Sequence, residues 1–569
     1  MVAKRISIGR SRGRKVWFDP KRRSYHLHVI GGIGMGKTKF LEHMIRRDIL
    51  AGHGVCVIDP HGELYKNILD WCAATRVDQF QKIHLIDPSR PDWRTGFNPL
   101  ARHAGEKPLD RVDSMLEALA QVWGGENSME TPSIRSVLRA IFSILIENGQ
   151  TLAEAFPLTR LNDDNFLRDY FTAHTDNPVV REMLDGYQHQ AARAPREFLI
   201  EFGGPRRRLF ELLHDEHLRE MFGQVANAID FRKVMDEGGI VLVNLSENAL
   251  DEKRAQALGA LLVRELFLVA KRRDILYAEK NPFYLYIDEC AQYLTKDISK
   301  LLAQTRKFGL HAILAHQWLE QLREASPAIY AAVMTIQNKV VFGGLADVDA
   351  DLIASELFRT EYDIEMPVEL LIKPTVVGVV QTWLHNWSES VSEGEVETTS
   401  DTATQTDSVG ASQLFDENGF PIGGITASVG AGAGASDSTS SAHVSMTSSS
   451  HGESEAYIPE FRNLPSAVHS LDNVKHLAIV RLRSLPERHA VVKGSGLPSF
   501  DMTTYPTYPK IIHEDSRTSF VNRMMRASPY SLPASEAKLL MDKRAAGLQV
   551  EVESWREPAP VDDDPDEWR

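Results

Sequence analysis

The sequence predicts an α/β fold: a largely parallel sheet covered by helices, with an all-helical domain inserted into it. Three observations predict it. Short apolar runs ending in Asp, Gly or Gln alternate with helical stretches over residues 27–87 and again over 239–383, the spacing of β–α–β units. Between them, from about Asp110 to Arg232, apolar positions recur at i, i+3, i+4 and i+7 with almost no strand signal. A glycine-dense loop joins the first apolar run to its helix.

Residues 1–23 carry nine Lys/Arg against one acid, Asp19. They read as a basic arm, either an electrostatic footprint for phosphate backbones or a solvated segment, with Lys15–Asp19 as a possible edge strand. Leu27–Ile30 reads as a buried strand and Lys37–Leu50 as a helix. The loop between them is Gly31, Gly32, Ile33, Gly34, Met35 and Gly36, and Gly31, Gly36, Lys37 and Thr38 fit the phosphate-loop pattern. Glycines let successive N–H groups turn inward toward phosphate oxygens, and the helix N-terminus adds partial positive charge. Lys37 can reach the β- and γ-phosphates, and Thr38 can ligate Mg²⁺. A nucleoside triphosphate is the expected ligand.

Gly54–Asp59 is a second buried strand, Glu63–Thr75 a helix and Lys82–Asp87 a third strand. After the helical region come a strand at Gly239–Ser246, a long helix at Asp251–Arg272 and a strand at Pro282–Ile287 that closes on Asp288 and Glu289. His311–Gln317, Asn338–Phe342 and Thr375–Trp383 read as further strands. Residues 385–455 are rich in Ser, Thr, Gly and Glu, and too poor in apolar surface to offset chain entropy, so disorder is expected. Leu477–Arg483 and His489–Lys493 read as late strands. Pro533–Ala546 reads as a helix ahead of an acidic tail.

Composition removes several classes. Cys56, Cys72 and Cys290 lie far apart without C-x-x-C spacing, which excludes a disulfide framework or a zinc site and suits a reducing, cytoplasmic setting. No run approaches the ~18 apolar residues of a membrane helix. The net charge of −14 argues against a nucleic-acid partner only superficially. Eleven Asp/Glu and no Lys or Arg fall within 388–456, which accounts for all but three of that charge.

Hydrolysis needs a held Mg²⁺, a group that activates water, and positive charge at the γ-phosphate. Asp288 and Glu289 end a strand, where ligands bind in open α/β sheets. Asp288 suits the Mg²⁺-linked acid and Glu289 the residue that polarises water. Gln317 ends the next strand and either senses the γ-phosphate or caps a helix. Arg306, between those strands, is either a solvated surface residue or an arginine delivered to a neighbouring subunit.

The order of these motifs resembles the HerA/FtsK superfamily of RecA-like P-loop ATPases, and within it the TraG/TraD-type coupling ATPases of conjugative type IV secretion. The resemblance rests on the phosphate loop, Val57–Leu64, Phe97–Leu100, Val243–Ser246, Tyr286–Glu289, Thr305–Leu310 and Ala315–Gln317, and covers about residues 24–500. It implies a hexameric ring that threads DNA through its pore using ATP and Mg²⁺. In that ring Arg306 is the trans-acting arginine finger and Gln317 the γ-phosphate sensor. Arg206–Arg208 and the N-terminal arm are candidate DNA contacts. A relaxase, a nuclease or a membrane secretion complex is the expected partner. Membrane-bound members carry N-terminal transmembrane helices. Here thirty residues precede Gly31 and none spans a membrane, so the expectation is a cytoplasmic motor, peripheral at most. A HerA-like DNA pump, a protein-secretion ATPase and a nucleotide-gated scaffold remain alternatives.

The expected organisation is a basic arm at 1–23, a motor at 24–105 and 236–384, and the helical insertion at 106–235. A disordered linker comes next at 385–455, then motor completion at 456–500 and an acidic C-terminal extension at 501–569.

Overall fold

The computed structural model describes residues 4–123, 132–160, 166–358, 372–394, 403–415, 421–435, 444–465 and 471–556. The chain divides into two units, residues 1–362 with 472–569, and residues 363–471. Strands β1 (Ile6–Ser11) and β2 (Arg14–Phe18) are followed by β3 (Leu27–Ile30), β4 (Gly54–Asp59), β5 (Ile83–Ile86) and the short β6 (Trp93–Thr95). Next come β7 (Ile240–Asn244), β8 (Phe283–Ile287), β9 (Leu310–His316) and β10 (Lys339–Phe342). The second unit contributes β11 (Ile372–Gly394), β12 (Ala403–Phe415), β13 (Pro421–Ala435) and β14 (Val444–Pro465). The chain then closes with β15 (His489–Lys493), β16 (Phe500–Thr504) and β17 (Ser531–Pro533).

Eleven strands form one sheet in the order β2-β1-β16-β15-β10-β3-β9-β8-β4-β7-β5. The seven from β10 to β5 are parallel. Every residue in these seven is buried, which is why they read as unbroken apolar runs rather than alternating ones. The other four are antiparallel.

That antiparallel edge corrects two expectations. Residues 6–18 are a hairpin of the central sheet rather than a basic arm. Ile6 and Ile8 are core residues, while Arg10 and Arg14 stay exposed. The C-terminal part is equally integral. β16 pairs with both β15 and β1, β17 pairs with β6, and the last helix runs Ala534–Arg556. A Cβ on Gly9 would lie 2.6 Å from Met502 Cγ, so the two chain ends meet without room to spare.

The insertion between β6 and β7 is helical, from Pro108–Val122 through Pro195–Leu213 to Phe231–Asp236. Val112, Met115, Leu116 and Leu119 lie buried on one helix face, as their spacing requires. Leu477–Arg483 is the last part of a helix, Leu471–Arg483, not a strand. Ala478, Ile479 and Leu482 turn inward while Leu477 and Val480 are exposed, a 3.6-residue pattern that a short apolar run conceals. This helix is tied to the Asp347–Phe358 helix by Lys475–Asp351 and Arg483–Asp347, each at 2.5 Å.

In the second unit β11 pairs with β14, and β12 with β13, all antiparallel. Thr375–Trp383 therefore belongs to β11 and pairs with 455–462, not with the eleven-stranded sheet. The extended pairing over much of 385–455 differs from the expected disorder. Main-chain N–H and C=O groups carry a ladder whatever the side chains, so composition does not register it. Residues 395–402, 416–420 and 436–443 lie outside the described residues, as does the acidic tail from 557.

Beneath the N-terminal ends of β3 and β8, Arg23 forms a bidentate pair with Asp48 at 2.5 and 2.6 Å. Tyr286 donates to Asp48, His53 lies 3.0 Å from it, and Arg23 stacks 3.4 Å from the Tyr284 ring. Burial would raise the Asp48 carboxyl, but the Arg23 charge and its hydrogen bonds prevail and hold it at about 2. Its stabilising contribution is therefore complete above about pH 4 and lost as pH falls toward 2. Asp48→Ala strands a buried guanidinium and is expected to destabilise the first unit by about 3–5 kcal/mol in urea titrations at neutral pH. The deficit relative to wild type should shrink below pH 4.

Candidate nucleotide-binding site

The loop from Gly31 to Gly36 is pressed against the chain that leaves β10. The Gly32 N–H donates to Gly343 O at 2.8 Å. A Cβ on Gly31 would lie 2.5 Å from Phe342 Cβ, and one on Gly32 2.5 Å from Gly344 O. Gly34 (φ 76°) and Gly36 (φ 100°) take left-handed backbone that lets the loop curl into the Lys37–Ala51 helix. Met35 lies within the curl, and Ile33 stands at its rim, 73% exposed. Lys37 is buried, and its Nζ donates to Gly31 O (2.6 Å) and Gly32 O (3.2 Å). Burial lowers its pKa, opposed by the charges of Glu289 and Asp288. The ammonium thus fills the centre of the cradle, where an incoming polyphosphate has its charge.

Asp288 and Glu289 come directly after β8. Thr38 Oγ1 donates to Asp288 Oδ2 at 3.4 Å, and the Glu289 N–H to Asp288 Oδ1 at 3.1 Å. Burial, reinforced by the negative charges of Glu289 and Asp59, pushes the Asp288 carboxyl up to about 6 despite Lys37. A carboxylate so placed favours a cation beside it. Among the described residues no cluster of three or more His, Cys, Asp or Glu could hold a metal. One hydroxyl and one carboxylate are instead the sparse oxygen set that Mg²⁺ takes alongside phosphates and water. Asp59 ends β4 in the same row and accepts the His61 (2.9 Å) and Tyr65 (2.8 Å) N–H groups, so it serves the turn after β4.

Gln317 lies just beyond β9 and donates to Glu289 Oε1 at 2.7 Å. Gln321 was not singled out by sequence, yet it donates to the other Glu289 oxygen at 3.2 Å and accepts the Gln317 N–H at 3.1 Å. The available signal was its i+4 spacing from Gln317 in the first turn of a helix. Glu289 itself has left-handed backbone (φ 45°), a strained conformation for a side chain of this size that aims its carboxylate along the strand edge. Behind it, His28 of β3 meets His316 of β9 at 2.6 Å between Nε2 atoms, and His316 Nδ1 bonds to Trp318 O at 3.0 Å. Burial lowers both imidazoles, that of His316 to about 4. The pair is neutral at physiological pH and clasps the two strands that present Lys37 and Gln317.

The geometry brings together Lys37, Thr38, Asp288, Glu289 and Gln317. It does not bring Arg306 to them. Arg306 precedes β9, its guanidinium 3.4 Å over the Tyr25 ring and its Nε donating to Ser24 Oγ at 3.4 Å, before β3 begins. It stands at the opposite ends of the strands that carry the site, and the seven-residue β9 alone spans on the order of 20 Å. Arg206, on the Pro195–Leu213 helix, is engaged with the Phe156 ring (4.3 Å) and Thr159 Oγ1 (3.3 Å), whereas Arg207 is exposed.

No family model matches the chain. It is similar to the type 4 coupling protein DotL of Legionella pneumophila, 21% identical over 375 residues, or 57% of this chain and 48% of DotL. The chain thus spans about half the length of that relative. Its structure is similar to the unbound bacterial conjugative coupling protein TrwBdeltaN70, with a TM-score of 0.51 and 13% identity over 90% of this chain and 91% of that one. TrwB in complex with a non-hydrolysable GTP analogue is similar at a TM-score of 0.49 and 14% identity, covering 87% of this chain and 88% of that one. The chain resembles type IV coupling proteins in sequence, and its α/β sheet with an inserted helical domain has the fold of one.

Gln321→Ala leaves the loop intact but removes one of two amides that orient Glu289. Nucleotide affinity is expected to stay within about twofold while kcat falls roughly tenfold, read from steady-state phosphate release and fluorescent-nucleotide titration.

Proposed function

We propose that this chain is an ATP-hydrolysing coupling motor that works as a homohexameric ring and moves DNA in conjugative, type IV secretion-linked transfer. The observation that carries this reading is the convergence, on one edge of adjacent parallel strands, of Lys37 and Thr38, Asp288, and a Glu289 carboxylate gripped by two amides. A mere nucleotide switch does not need a carboxylate aimed and held in this way.

Lys37 exchanges its loop carbonyls for the β- and γ-phosphate oxygens. Thr38 and Asp288 would hold Mg²⁺, which when bound would neutralise charge building on the phosphates. Glu289, each of whose oxygens keeps an acceptor site free beside its amide, accepts the proton of the water that attacks the γ-phosphorus as the bond to the departing ADP oxygen breaks. Gln317 then turns to the γ-phosphate. The exchange of Gln317 between Glu289 and phosphate gives the site a way to report hydrolysis to β9 and the segment beyond it.

Arg306 lies too far away to serve the loop of its own chain, which favours delivery to a neighbour in a ring. DNA as the cargo rests on the likeness to coupling proteins. Among the described residues no helix is long and apolar enough to cross a membrane. Docking at the inner face of a membrane secretion complex, with a relaxase as partner, completes the proposal.

Turnover is expected to rise with added single- or double-stranded DNA and to lose that stimulation as salt increases. A rate indifferent to both DNAs across the salt range would rule against DNA as cargo. Lys37→Ala should abolish nucleotide binding, and Glu289→Gln should retain it while losing roughly 10²–10⁴-fold in kcat. For Arg306, inactive Arg306→Ala and Lys37→Ala subunits should regain part of the activity when mixed. Mixed rings that remain inactive would exclude a shared site.

A further inference from the structure

The phosphate loop has a second neighbour, contributed from the far end of the chain. Arg488 sits in the turn between the Leu471–Arg483 helix and β15, and its N–H donates to Met35 O at 3.1 Å. A Cβ on Gly36 would lie 3.5 Å from Arg488 Cγ and 3.6 Å from its Cα. This residue therefore packs on the stretch of loop that leads into Lys37 and Thr38.

Two features are at odds with a simple filler. The Arg488 backbone is left-handed (φ 66°), which is costly for a side chain with a Cβ. It is clamped there because Thr504 sends both its N–H (2.8 Å) and its Oγ1 (3.2 Å) to the Arg488 carbonyl. The guanidinium then reaches back to donate from Nη2 to Thr504 O at 3.0 Å, while its Nε is buried with no partner. Among the described residues it forms no ion pair. A buried donor on a permanent cation, left unpaired beside an anion cradle, calls for an anion.

The chain beyond Thr504 indicates which end of the cradle this is. The Tyr505 ring packs 4.9 Å from that of His43, and Thr507 Oγ1 donates to Lys39 O at 3.2 Å. The segment after Arg488's clamp thus lies along the first turns of the Lys37–Ala51 helix, the side away from Asp288 and Glu289. We propose that Arg488 is a nucleotide-contacting residue, acting within its own subunit on the α- and β-phosphate end of the bound nucleotide. This inference rests on the reading of the loop as a nucleotide site. It assigns Lys37 and Arg488 to opposite flanks of one polyphosphate.

The contact is common to diphosphate and triphosphate, which makes it testable on the full chain with fluorescent ADP and a fluorescent non-hydrolysable ATP analogue. Arg488→Ala should weaken both by roughly tenfold or more and to the same degree, with Arg488→Lys retaining more affinity than Arg488→Ala. Arg488→Gly removes the charge but suits the φ of 66°, so it should lose affinity like Arg488→Ala with an unchanged or higher nucleotide-free Tm. Wild-type affinity in both Arg488→Ala and Arg488→Gly, while Lys37→Ala fails to bind, would overturn the assignment and leave the loop reading intact. Retained binding in Lys37→Ala would instead overturn the loop reading. A loss confined to the triphosphate analogue would place Arg488 at the γ-phosphate and reject the α/β assignment.

Discussion

The chemistry of this molecule depends on β9 lying between β3 and β8. Parallel pairing in register, with Leu27 opposite Ile313 and Phe283 opposite Leu310, brings the ends of three strands to one edge. The phosphate loop, Gln317 and the Asp288–Glu289 pair are the segments into which those three strands run. The order also dictates what is excluded. A residue entering β9, such as Arg306, is separated from the site by the length of the strand, however close it is in sequence. Interactions beneath the edge then hold the arrangement. The His28–His316 contact ties β3 to β9, and Gly32 lies so close to Gly344 O that it tolerates no side chain.

The opposite edge is organised by charge. Arg23 and Asp48 are both withdrawn from water and satisfied in several directions, by each other, by Tyr286 and by His53. Desolvation offsets much of the attraction in such a pair, so its main consequence is that neither member can be left alone. Arg23 is followed at once by Ser24 and Tyr25, which receive the Arg306 side chain, and by His26, whose ring accepts the Ala312 N–H and bonds to Leu302 O. The start of β3 and the helix before β9 are therefore joined by direct contacts. That connects the strand leading to the phosphate loop with the segment bearing Arg306.

Much of this was legible in sequence because buried parallel strands are written as continuous apolar runs and because the phosphate loop demands glycine where φ is positive. Gln317 could be placed beside Asp288 at the sheet edge by noting that each residue ends a strand, whereas its bond to Glu289 is seen only in the structure. Other features were not legible because their cause is tertiary. The charges of residues 1–23 drowned the alternation of Ile6 and Ile8 that puts the hairpin in the sheet. Leu477–Arg483 is apolar enough for either period, and only the inward turn of Ala478, Ile479 and Leu482 decides it. Gln321 needs the helix direction after β9, and Arg488 needs β15 and β16 to be folded onto the loop. Only Gln321 has a local trace, its i+4 spacing from Gln317, and no local pattern encodes Arg488. The main-chain pairing of β11 with β14 and of β12 with β13 is equally silent in composition.

The second unit leaves and rejoins the first through two helices that are pinned side by side by Lys475–Asp351 and Arg483–Asp347. They flank β10 and β15, which are themselves neighbours in the sheet. The chain has thus already closed on itself before the excursion begins, and the entropy of closing a loop grows only as the logarithm of its length. Changing the length of chain between these two helices should therefore add only a logarithmic closure cost and leave the strand register beneath the candidate site in place.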